Sequence, residues 1–130
     1  MVADELVTID LVAVVLDDDA ALIHELVLKN VYILTTNIAG LEVGGNVKQL
    51  WDEHRTIAQG VASDVIRLQE VLTGKAFDHQ SLINGMVSAF NGDPEHMCMG
   101  RSAPVRMQRA LALAAENKIS LGMLERIAQL

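Results

Sequence analysis

At 130 residues the chain fits one domain, residues 1–130, and with 51% hydrophobic but only 3% aromatic residues its core must be aliphatic. A net charge of −7 without any Lys/Arg tract excludes the electrostatic footprint of a nucleic-acid binder and disfavours an anionic membrane surface. The lone cysteine, Cys98, excludes an internal disulfide and a paired-cysteine zinc or redox motif, and it suits a reducing, cytoplasmic setting.

The first element is an apolar run over residues 6–16, LVTIDLVAVVL, interrupted by Asp10 and followed by aspartates at 17–19. It is shorter than the roughly 20 residues a membrane span needs. Its leading residues are acidic, against a signal peptide. It reads as a short helix, or the first turns of a longer one, buried in a core or interface. The aspartates have no calcium-loop pattern and read as a solvated cap for the next helix. From Ala20 to about Ile38 the positions Leu22, Ile23, Leu26, Val27, Val31, Leu34 and Ile38 keep helical spacing, and Gly40, Gly44 and Gly45 mark the first break.

Asn46 is a candidate N-cap for one long helix of about seven turns, with Val47, Leu50, Trp51, Ile57, Ala58, Val61, Val65, Leu68 and Leu72 on its stripe and Gly74 closing it. Asp78 or Ser81 caps a shorter helix with Leu82, Ile83, Met86, Val87 and Phe90 as its apolar face, stopped by Asn91-Gly92-Asp93-Pro94. Residues 95–99 read as a loop or a single turn packed under the bundle. Ser102-Ala103-Pro104 opens the last stretch, which carries Met107, Leu111, Ala114 and Ala115. Asn117-Lys118 interrupts it, and Ser120 is a fresh cap for residues 121–130. Two prolines and short connections predict an all-α, antiparallel helical bundle of four to five helices.

Several of these segments carry a resemblance. VYILTTN (31–37), LWDEH (50–54), LTG (72–74), ALALAAEN (110–117) and LGMLERI (121–127) are similar to runs in the Dps-type mini-ferritins of the ferritin-like superfamily. The likeness covers residues 20–75 and, more loosely, 105–127. It implies a ferritin-like topology, assembly into a homo-oligomer, and iron held at a subunit interface by histidines and an Asp-xxx-Glu pair. The chain departs from the pattern where that iron would sit. Asn37 is followed by Ile38-Ala39 instead of a His-Trp pair, and the carboxylate positions fall on Ser63 or Asp64 and then on Arg67 or Leu68. A cation at Arg67 would repel iron, so an ordinary ferroxidase centre is not expected.

The remaining donors define two candidate metal sites. His24, Asp52, His54 and Asp64 would supply nitrogen and oxygen ligands suited to iron if they met across an interface. His54 reads otherwise as a core-edge histidine bonded to backbone or carboxylate, and Asp64 and Glu70 as helix-surface carboxylates. His96 and Cys98, within Glu95-His96-Met97-Cys98-Met99, would suit copper(I), although methionine is common as core filler. Trp51 reads as a core or interface anchor.

No phosphate loop, nucleophile elbow or zinc-protease motif is present, and no motif fixes a cofactor, iron being the one candidate. The expectation is a non-enzymatic helical assembly protein that self-associates, with no nucleic acid or membrane as partner. The alternatives are an iron or other metal-binding protein with an interface site, and a helical adaptor that binds a protein partner.

Overall fold

The computed structural model describes residues 20–98 and 102–129. The expectations for residues 6–16, for the aspartates at 17–19 and for Met99 lie outside them. Among the described residues there are six helices and no strand: α1 (Ala20–Val43), α2 (Val47–Glu53), α3 (Arg55–Thr73), α4 (His79–Gly92), α5 (Ala103–Glu116) and α6 (Gly122–Ala128). None is long and apolar enough to cross a membrane.

α1 is the central element. It is apolar on nearly every side and packs against each of the other five helices. Its β-branched run does not break it, because tertiary burial overrides weak propensity. Val31, Thr35 and Thr36 are buried, and the Thr36 hydroxyl donates back to the Tyr32 carbonyl at 2.9 Å. The helix passes through Gly40 and runs past the expected end, stopping where Gly44 and Gly45 take positive φ of 62° and 73°.

The expected single helix from Val47 to Gly74 is two. His54 adopts φ −133°, ψ 38°, outside helical geometry, and ends α2 while starting α3. Residues 52, 53, 55 and 56 are exposed, so no buried stripe runs continuously through the junction. Below it, α3 buries Ala58, Val61, Val65, Ile66 and Leu68. Above it, Trp51 meets Phe90 of α4 edge-on at 6.3 Å. This break is why the helix count exceeds the sequence expectation.

The local caps follow the sequence. Asn46 and Gln49 form a reciprocal capping box at α2. Gly74, at φ 70°, closes α3. Of the two candidates for α4, Asp78 is the cap: its carboxylate accepts from Ser81 N at 3.1 Å. Ser120 is not the cap of α6; its hydroxyl donates to Glu125 Oε2 at 2.9 Å.

Directions follow from the contacts. Asn30 of α1 bonds Gln69 of α3, and Glu42 of α1 pairs with Arg126 of α6, which lies against Gly60 and Asp64 of α3 through Met123. α1 and α3 are therefore antiparallel. Leu28 lies beside Gly85 and Tyr32 against Phe90, so α4 runs parallel to α1. The chain leaving α4 returns to the start of α2. Val47 N and Lys48 N donate to the carbonyls of His96 and Pro94 at 2.9 and 3.2 Å, and Cys98 N donates to Gly45 O at 2.9 Å. This strap satisfies amide groups that a helix start leaves without partners. Leu50, Val61 and Leu68 are 0%, 0% and 2% exposed, each contributing about 1.5–3 kcal/mol on burial.

Candidate functional site

The six residues expected to carry metal chemistry do not converge within one chain. His24 is exposed near the start of α1, whereas Asp52 and His54 lie beyond its far end, separated by roughly 28 Å of helix at 1.5 Å per residue. Asp52 forms an exposed ion pair with Lys48 at 3.0 Å. His54 is half-buried at the helix break, with both its backbone groups engaged: its N–H donates to Leu50 O at 3.0 Å and its carbonyl accepts from Ala58 N at 3.1 Å. His96 faces outward, with its ring 5.8 Å from that of Tyr32 and Nδ1 3.8 Å from the Asp93 carboxylate. Cys98 faces inward, fully buried, and burial pushes its thiol up to about 11. Among the described residues no three His, Cys, Asp or Glu side chains are grouped so that they could hold a metal ion.

Asp64 is not a surface carboxylate. It is 6% exposed, between α3 and α6. Its Oδ2 accepts from Met123 N at 2.9 Å and Leu124 N at 3.2 Å, and Arg67 Nη1 lies 3.5 Å from Oδ1. Arg67 in turn donates to Ser120 O at 2.8 Å. Burial raises the Asp64 pKa, against the opposing pull of the two N–H groups and of Arg67. Glu70 is likewise engaged: it accepts from Phe77 N at 2.9 Å and lies 3.0 Å from His79 Nε2, clasping the turn between α3 and α4. Burial opposes its ionisation, but the Phe77 and His79 contacts outweigh that and hold its carboxyl below the usual range.

The sequence reading misses an open groove between α1 and α4, of about 390 Å³. Leu28, Tyr32 and Ile33 form one wall, Met86 and Ala89 the other, and Glu25 and Lys29 stand on the α1 side. The absence of a side chain at Gly85 makes the close approach: a Cβ there would lie 2.8 Å from Leu28 Cδ1. The groove borders an aromatic cluster in which Tyr32 and Phe90 lie 5.5 Å apart, Phe90 meets Trp51, and the Arg55 guanidinium sits 4.9 Å over the Trp51 ring. One signal was legible in advance. Leu28, Tyr32 and Ile33 are apolar residues of α1 that fall outside its inward stripe, so a second apolar face was written into the helix.

The chain matches no family model, no curated protein and no solved structure.

Proposed function

We propose that the chain is a non-catalytic helical assembly subunit, ferritin-like in topology and resembling a Dps-type mini-ferritin without an intact ferroxidase centre, which associates with copies of itself in the cytoplasm. Asp64 carries the reading. At the α3 position where the resemblance would put an iron-binding carboxylate, both oxygens face protein groups, the N–H groups of α6 and Arg67. Topology supports it as well. α4 returns the chain to the end from which α2 and α3 set out, so α5 departs from the same end as α3. A single crossover between the second and third long helices is what a ferritin-like bundle requires.

Self-association is supported by the aliphatic composition and by Met97 and Val105, 62% and 58% exposed, which project apolar surface close in sequence to the strap. An adaptor that binds a protein partner draws on the same surface and differs in what covers it; a second polypeptide co-purifying at fixed ratio would favour the adaptor. The test of the non-catalytic reading is ferrous iron added to the purified protein in air, followed by absorbance. The expected rate equals that of buffer alone, and rapid oxidation by the protein defeats the reading.

A further inference from the structure

We infer that the groove between α1 and α4 is where a second copy of the chain docks, about a two-fold axis that sets Glu25 of each copy opposite Lys29 of the other. The inference rests on the self-association reading and names the face that carries it.

Charge points to a copy as the occupant. Glu25 and Lys29 stand on the α1 side of the groove, both exposed, and neither side chain has a partner among the described residues. They lie about one turn apart, roughly 6 Å along the helix. A two-fold axis crossing α1 at the level of Val27 runs a second α1 antiparallel to the first. Each glutamate then comes level with the other chain's lysine, and the same pair forms twice. Such a patch is self-complementary, which a closed pair of identical chains requires. The two Leu28 side chains fall within one turn of each other across the axis, beside the apolar walls formed by Tyr32, Ile33, Met86 and Ala89.

The composition of the other wall fits the same occupant. Of the six described helices α4 alone contains no Asp, Glu, Lys or Arg, in a chain that is 21% charged. Yet its Ser81, Asn84, Ser88 and Ala89 are exposed. The centre of a protein–protein interface is depleted of charge, because a charge buried there without a partner loses its hydration. A charge-free α4 wall beside an α1 wall with one charge of each sign leaves nothing unpaired when two such grooves close on each other. A strongly cationic or strongly anionic partner would leave either Lys29 or Glu25 facing its own sign.

The test reverses the two charges one at a time in the full chain. Glu25→Lys puts two cations on the groove side of α1 and Lys29→Glu puts two anions there, while both variants stay net acidic like the parent. Each alone is expected to raise the dissociation constant about tenfold or more, read by sedimentation over a concentration series. Mixed in equal amounts, the two variants are expected to associate with each other at the parent affinity, because each lysine then meets a glutamate of the other chain. A salt link inside one helix gives no such recovery, since each variant keeps its own like-charged pair whatever surrounds it. An oligomer unchanged by either substitution, or variants that dissociate without recovery on mixing, overturns the docking face and leaves self-association to another surface, such as that of Met97 and Val105. A parent that sediments as a single chain overturns both. Should either α1 variant lose helicity, Ala89→Glu, at an exposed position on the α4 wall, serves instead: it is expected to weaken association, and an unchanged dissociation constant overturns the inference.

Discussion

Asp64 caps a helix at Met123, 59 residues away: its Oδ2 accepts the Met123 N–H at 2.9 Å and the Leu124 N–H at 3.2 Å. α6 has only seven residues and no side-chain cap of its own. A helix of that length does not hold in isolation; it is held by this carboxylate, by the Glu42–Arg126 pair at 2.7 Å and by Leu124 and Ile127 in the core. Asp64→Ala strands two N–H groups, one of them buried. The expected loss in urea unfolding is about 1–3 kcal/mol. Asp64→Asn keeps an oxygen acceptor and is expected to cost less. Asp52→Ala, which removes an exposed ion pair, is expected to stay within about 0.5 kcal/mol of the parent. Equal effects of Asp64→Ala and Asp52→Ala would return Asp64 to the surface.

Two carboxylates of α3 are predicted to leave opposite marks on the pH dependence of stability. Burial raises the folded-state pKa of Asp64 above its unfolded value, so its contribution is full below the ordinary aspartate range and falls as pH rises through the folded value. The stability gap between the parent and Asp64→Asn should therefore narrow as pH rises. For Glu70, burial works upward, but the Phe77 N–H and His79 outweigh it and the folded value lies below the unfolded one. Its contribution is present above the ordinary glutamate range and is lost as pH falls through the folded value. The gap between the parent and Glu70→Gln should therefore widen as pH rises. Urea midpoints measured between about pH 3 and pH 7 check both signs.

Cys98 is fully buried beside the strap, its backbone bonded to Gly45. With the thiol pushed up to about 11 by burial, little thiolate exists at neutral pH, and reagent cannot reach it. A thiol-reactive disulfide reagent is expected to label the native protein slowly and the urea-unfolded protein at once. Prompt stoichiometric labelling of the native protein would show that the strap opens.

Asn30 and Gln69 meet in the interior, Nδ2 to Oε1 at 3.1 Å. The Gln69 Nε2 atom is buried without a partner among the described residues, so the pair is imperfectly satisfied. Either single replacement by leucine leaves the other amide buried alone and is expected to cost about 1–3 kcal/mol. The double replacement removes both polar groups and is expected to recover most of that loss, giving a non-additive cycle. Additive losses would argue that the amides do not interact.

What the sequence revealed and what it concealed divide along the range of the interactions. Asn46, Gly74 and Asp78 act on neighbours within four residues, and residue type and spacing pointed to each, Asp78 as one of two candidates with Ser81. The inward faces were readable for the same reason: Val27, Val31, Leu50, Val61, Leu68 and Leu82 are buried where the helical period puts them. The break at His54 was not, because neither Pro nor Gly marks it, and the Trp51–Phe90 contact beside it joins residues 39 apart in sequence. Asp64 looked like any helix carboxylate until α6 was folded against it. The His96 and Cys98 cluster resembled a set of soft donors, yet folding turns one ring outward and one thiol inward and uses the backbone of that stretch to cap α2. The groove was half legible, in the surplus of apolar residues on α1.

The most direct test of the assembly reading is the native mass of the purified full chain at micromolar concentration, measured together with its metal content. The account predicts one species whose mass is a whole-number multiple, greater than one, of the 14.1 kDa chain, with no iron bound. A monodisperse single-chain species, or an oligomer that retains iron through purification, would contradict it.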